Sequence, residues 1–87
     1  MTYSLDIRDE YLTQIPIIPS YITHLTIYNN SITKIENLPE GLEYLNLSDN
    51  QITKIENLPN GLERLYLNDN QITKIENLPE GLRVIFK

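Results

Sequence analysis

The chain repeats itself every 20 residues, and no other feature limits its fold as much. Residues 31–50 read SITKIENLPEGLEYLNLSDN and residues 51–70 read QITKIENLPNGLERLYLNDN, identical at 15 of 20 positions. Residues 71–83 begin the string again as QITKIENLPEGLR. A unit this short cannot bury its own apolar side chains, so copies must stack and share one core. The columns of that core are Leu25, Leu45, Leu65 and Ile85; Ile27, Leu47 and Leu67; Ile32, Ile52 and Ile72; Ile35, Ile55 and Ile75; and Leu38, Leu58 and Leu78. Extended backwards, the same register takes in Leu5, Ile7, Leu12, Ile15, Ile18 and Ile22, with Pro19 in line with Pro39, Pro59 and Pro79. The expectation is one domain, 1–87, of four turns at about 5–24, 25–44, 45–64 and 65–84, with a partial strand at 85–87.

Within a turn, L-x-L alternates at period two and reads as a short strand. Asn30, Asn50 and Asn70 follow it, residues suited to a bend because an amide can satisfy backbone groups that no ladder reaches. Glu10 stands in that column in the first turn, which predicts a weaker or more exposed bend there. The three-residue spacing of I-T-K-I suits a tight turn or 3₁₀ segment better than a strand. Leu-Pro then blocks continuation, and the Gly41, Gly61 and Gly81 column lets the backbone turn back. No stretch between these breakers accommodates a regular helix of several turns. Stacked turns therefore predict a parallel sheet on one face and tight turns on the other.

Composition narrows the function. Ile and Leu supply 26 of the 87 residues, too apolar for a disordered chain. There is no Cys, which excludes disulfides, thiol nucleophiles and thiolate metal sites. A net charge of −5 disfavours nucleic acid and anionic membrane as partners. No apolar run approaches a membrane span. Asp6, Arg8, Asp9 and Glu10 stand where a secretion signal needs an apolar stretch, so the default expectation is a cytoplasmic protein, a host cytoplasm included.

The residues Leu42, Leu45, Leu47, Asn50, Ile52 and Ile55, repeated as Leu62, Leu65, Leu67, Asn70, Ile72 and Ile75, resemble the leucine-rich repeat pattern L-x-x-L-x-L-x-x-N-x-L-x-x-L. The 20-residue length and L-P-x-x-L resemble the short repeats of secreted bacterial effectors. K-I-E-N-L is similar to a longer subclass in eukaryotic phosphatase regulators. The stretch 18–27, IPSYITHLTI, resembles the FNIP-type repeats of amoebae and giant amoeba viruses. The resemblance implies an α/β solenoid of leucine-rich repeat type: a right-handed coil with a short parallel sheet on the concave face, turns or 3₁₀ segments on the convex face, and few or no regular helices. It also implies protein binding on the concave sheet. The ligase domain or helical cap of the effector subclass has no counterpart in these residues.

Variation among the repeats is concentrated on the strands. Thr33, Thr53 and Thr73, Lys34, Lys54 and Lys74, and Glu36, Glu56 and Glu76 are invariant. The outward strand columns read Ser4, His24, Tyr44, Arg64, Val84; then Asp6, Thr26, Asn46, Tyr66, Phe86; then Arg8, Tyr28, Ser48, Asn68. A partner-binding face made of His24, Thr26, Tyr28, Tyr44, Asn46, Ser48, Arg64, Tyr66, Asn68 and Phe86 follows, rich in the residue types that dominate interfaces. The competing reading is drift on a soluble surface, with aromatic pairs bracing neighbouring strands. The Lys and Glu columns read as a solvated face copied by duplication.

Catalytic and metal sites are not expected. Ser4, His24 and Asp6 share the strand face, but a flat sheet offers no oxyanion hole and no walled pocket. Asp9, Asp49 and Asp69 fall in one column, yet calcium needs six or more oxygens. No cofactor is implied. The expected function is non-enzymatic protein binding. The alternative is a structural, self-assembling repeat protein, a homo-oligomer joined through terminal strands, because residues 84–87 end mid-strand with Ile85 in a core column.

Overall fold

The computed structural model describes residues 1–85. Its strands are β1 (Ser4–Arg8), β2 (His24–Tyr28), β3 (Tyr44–Asn46), β4 (Lys54–Ile55), β5 (Arg64–Tyr66), β6 (Lys74–Ile75) and β7 (Arg83–Ile85). Five form a parallel sheet in the order β1-β2-β3-β5-β7, and β4 pairs with β6 in a second sheet of two strands. The chain is a parallel-strand solenoid of about four turns, with no helix among the described residues. In particular, no helix is long and apolar enough to cross a membrane.

Strand register follows the 20-residue period through β5. Leu5 pairs with Leu25, Leu25 with Leu45 and Leu45 with Leu65. Leu25, Leu45 and Leu65 point inward with Ile27, Ile32, Ile35, Leu42, Leu47, Ile52, Ile55, Leu62 and Leu67, all buried in one cluster against which the half-buried Leu5 packs. At roughly 1.5–3 kcal/mol for each buried Leu or Ile, this shared column set is the main favourable term of the fold.

The asparagine column closes each bend from the turn that follows it. Asn50 Oδ1 accepts from Ile32 N at 3.0 Å, and its Nδ2 donates to Ile27 O at 2.8 Å. Asn70 repeats the arrangement on Ile52 N at 2.8 Å and Leu47 O at 2.8 Å. Asn30 accepts from Glu10 N at 3.1 Å and Leu12 N at 2.9 Å. Of the two expectations for Glu10, the more exposed bend is what the structure has, and the amide at position 30 keeps that bend hydrogen-bonded without one at position 10. A second row acts likewise, with Asn37 donating to Ile15 O and Asn57 to Ile35 O.

The chain does turn at the glycine column, and two further expectations, on the I-T-K-I segment and on the last strand, are corrected. Most left-handed positions lie outside that column, at Asp9, Tyr11, Asn29, Asp49 and Asp69, together with Asn37, Asn57 and Asn77; of the glycines, Gly81 shares it. Asp and Asn are the side chains that tolerate this region best. Gly41 and Gly61 have no positive φ, and Tyr21 holds the equivalent place in the first turn. The turn there is closed instead by Leu42 N donating to Pro39 O and Leu62 N to Pro59 O.

The I-T-K-I segment is extended, not 3₁₀, in the two later copies. Thr73 N donates to Thr53 O at 2.7 Å and Glu76 N to Ile55 O at 3.1 Å, so stacked copies bond to each other, not within a turn.

The last strand is one residue out of step. Arg83 pairs with Arg64, Val84 with Leu65 and Ile85 with Tyr66. Val84 therefore packs on the core, and Ile85 is not in the core column assigned to it. Two features accompany the slip. The V-I-F run is apolar throughout, so the alternation that normally fixes register is silent. Gly81, in the turn just before β7, takes φ 79°, unlike Gly41 and Gly61.

Candidate functional site

The outward side of the five-stranded sheet carries the residues that differ between repeats. Alternation places Ser4, His24, Tyr44, Arg64 and Arg83 in one row, each the register partner of the next. The neighbouring row is Asp6, Thr26, Asn46, Tyr66 and Ile85. Arg8 and Tyr28 begin a third.

Aromatic rings bridge adjacent strands. His24 stacks on Tyr44 with centroids 5.5 Å apart and 14° between planes. Tyr44 meets Tyr66, a diagonal neighbour, at 5.2 Å and 45°. Such pairs contribute about 0.5–1.5 kcal/mol beyond area burial. All three side chains are half-buried, so each ring braces its neighbours and keeps one side in water. His24 Nδ1 lies 3.0 Å from Thr23 Oγ1, which also accepts from Tyr3 N at 3.0 Å.

At the other end of the face, the Arg8 guanidinium lies 5.5 Å from the Tyr28 ring centroid. Arg8 Nε also donates to Asp6 Oδ1 at 3.0 Å. That hydrogen bond, with the charge of Arg8, holds the Asp6 carboxyl below its usual range and raises Arg8 in turn. The Asp49 carboxylate beside Tyr28 raises the phenol by hydrogen bonding and by its charge. Asp49 likewise raises Asp69, its neighbour one turn on.

The structure brings together His24, Tyr44, Tyr66 and Arg64, with Thr26 and Asn46 between them. Tyr28 stands apart, with Arg8. Ser48 does not join the face: it is only 4 % exposed, because β3 ends at Asn46 and Asp49 already turns left-handed. Its Oγ and the Oδ1 of half-buried Asn68 are buried without a hydrogen-bond partner. Phe86 lies outside the described residues. Two residues were missed. Arg8 stood in an outward column one period before Tyr28, and that adjacency was the available signal for their contact. Arg83 was hidden by the register slip.

Of Ser4, His24 and Asp6, Asp6 accepts a hydrogen bond from Arg8 and His24 Nδ1 lies beside Thr23 Oγ1. Depressions at Asp9, Tyr11, Asn29, Asn30 and Ser31, and at Glu40, Leu58, Pro59, Asn60 and Gly61, are both open to solvent. No group of three or more His, Asp or Glu among the described residues is disposed to hold a metal ion.

The family described as Leucine Rich repeats (2 copies) matches residues 22–60 and again 40–80. The chain belongs to the leucine-rich repeat family. The stacked L-x-L strands and the Asn ladder are the physical form of that family's pattern in this sequence. No curated protein and no solved structure matches the chain. Leucine-rich repeats generally mediate protein–protein interaction, and their solenoid is typically a non-enzymatic scaffold.

Proposed function

We propose that this leucine-rich repeat chain binds a protein partner on the solvent face of its five-stranded sheet and performs no chemistry there. One observation carries the reading. The positions that vary between otherwise near-identical turns gather His24, Tyr44 and Tyr66 into a contiguous half-exposed aromatic row with Arg64 beside it. Rings braced by their neighbours lose little freedom on docking, which favours affinity. His24, Thr26, Tyr28, Tyr44, Asn46, Arg64 and Tyr66 form the surface, with Asn68 at its margin. The repeat length and L-P-x-x-L support assigning the chain to the short subclass, beside the FNIP-type and effector-type repeats.

The test is affinity capture from the native host with wild type and Tyr44→Ala/Tyr66→Ala in parallel. The double variant is expected to stay folded and to lose the captured protein. Equal capture by both proteins refutes the reading.

A second reading is self-assembly, favoured by Ile75 and Leu78 at 53 % and 43 % exposure on the last turn. It predicts a mass that grows with concentration in light scattering and that Ile75→Glu returns to the monomer. A monomer throughout the concentration series dismisses it.

A further inference from the structure

The slipped register of β7 gives the strand face a chemistry absent from the repeat pattern. Arg83, not Val84, stands beside Arg64 on the adjacent parallel strand, and Ile85 stands beside Tyr66. Neighbouring parallel strands are about 4.8 Å apart, so two guanidinium groups are rooted side by side. Both residues are exposed. Neither has an ion-pair partner among the described residues, whereas Arg8 is bound to Asp6. Glu43 and Glu63, the acidic residues just before β3 and β5, form no ion pair with either arginine. On the other side of Arg64 in the same row is Tyr44, in contact with Tyr66.

Two like charges side by side repel each other, and an anion placed between them removes that cost. Guanidinium forks match carboxylates in bidentate geometry. We propose that the face takes an extended acidic segment of a protein partner. Its carboxylates are held by Arg64 and Arg83, and an adjacent aromatic or aliphatic side chain rests on Tyr44 and Tyr66. This rests on the binding face proposed above and names the chemistry of its partner. A nucleic acid fits less well. Its continuous charge would run from two arginines onto a chain of net charge −5, with Asp6, Asp49 and Asp69 close to the same sheet.

The test pans a displayed library of random 12-residue peptides on the whole chain. Selected peptides are then measured by fluorescence polarisation against variants checked by circular dichroism. Peptides selected by wild type are expected to carry two or more Asp or Glu next to an aromatic or aliphatic residue. Binding should fall at least tenfold in Arg64→Gln/Arg83→Gln and weaken steeply with salt. It should persist in the charge-matched control Lys34→Gln/Lys74→Gln. Peptides without acidic enrichment overturn the proposal. So do peptides lost in Tyr44→Ala/Tyr66→Ala but indifferent to the arginine pair, although the binding face then survives. Failure to select any peptide, or indifference to both pairs, overturns face and partner together. Displacement of the peptides by a 12-nucleotide oligothymidylate assigns the arginines to nucleic acid and also overturns it.

Discussion

The string QITKIENLP occurs twice without a single change, at 51–59 and at 71–79, and its two copies live in different surroundings. In the first copy Ile55 is fully buried; in the second the equivalent Ile75 is 53 % exposed. Leu58 packs against the core, and Leu78 is exposed. Identical residues, with nearly identical local geometry, differ only in whether another turn lies over them. A side chain of this fold is thus made a core residue by its neighbour and not by its own turn. The same holds for polar groups. Ile32 N and Ile52 N are each satisfied by an amide from the next turn, so every added turn completes the one before it.

The sharpest way to break this comparison is to truncate both isoleucines. Ile55→Ala opens a cavity between two turns and is expected to cost about 2–5 kcal/mol. Ile75→Ala removes a side chain that is half in water, and is expected to cost less than about 1 kcal/mol. Urea denaturation of the two variants checks this. Equal losses would mean that a further layer covers Ile75 in solution.

The asparagines give a smaller contrast of the same kind. Asn50 is buried and donates to Ile27 O, Leu47 O and Ser48 O while accepting from Ile32 N. Asn50→Ala leaves Ile32 N and Ile27 O without that partner, while Leu47 O keeps Asn70 Nδ2 and Ser48 O keeps Asn29 N, and is expected to cost about 3 kcal/mol. Asn70 is half-buried, so water can replace part of its hydrogen bonding. Asn70→Ala is expected to cost about half as much. Hydrogen exchange should localise each loss: Ile32 N loses protection in the first variant and Ile52 N in the second.

The parts legible in the sequence are those that the period dictates. The Leu25–Leu45–Leu65 column, the parallel pairing and the inward ladder of Asn50 all follow from stacking identical units. Three features were not legible, for separable reasons. The direction in which an Asn reaches is not encoded in its column, so the hold of Asn30 on the first bend was not visible at Glu10. Left-handed backbone at Asn37 and Asp49 carries no pattern beyond residue type, and of the glycines only Gly81 shares it. The slip of β7 was hidden because Val84 and Ile85 fit the core column equally well, and with it went the neighbourhood of Arg64 and Arg83. Of the candidate face, the aromatic row could be read from alternation. The burial of Ser48 could not, because it depends on where β3 stops.

The glycines test that slip directly. Residues 38–42 and 78–82 are both LPEGL, yet only Gly81 has a positive φ. A Cβ meets nothing within 4 Å at either Gly41 or Gly81, so space does not decide. Gly41→Ala is expected to be neutral or to stabilise by up to about 1 kcal/mol, by restricting the unfolded chain. Gly81→Ala forces a left-handed alanine and is expected to cost about 1–2 kcal/mol. An NMR contact between Arg83 and Arg64 in wild type, lost in Gly81→Ala but kept in Gly41→Ala, would establish that the left-handed turn holds the register. If the variant keeps that contact at no cost in stability, the apolar run 84–86 holds it instead.

The smallest contrast concerns charge, where two carboxylates tie the last turns together with opposite sign. Glu76 accepts from Lys54 at 3.0 Å and is held below its ordinary value, chiefly by that hydrogen bond and by the Lys54 charge. Its contribution is present above the unfolded pKa and is lost as pH falls through the lower, folded one. Asp69 is raised, chiefly by a hydrogen bond shared with Asp49 and by that neighbour's charge. The folded state therefore holds its proton more tightly than the unfolded chain, and Asp69 opposes folding once pH rises through the raised value. Asp69→Asn should unfold at higher urea than wild type at pH 7, with the advantage vanishing below the carboxylate range. Glu76→Gln should unfold at lower urea at pH 7, with that deficit vanishing over the same acid window. Both differences are small, since these groups face water and salt screens them. Should the two variants move in the same direction at pH 7, the contacts do not set the pH response, and net charge, which both substitutions change alike, explains it better.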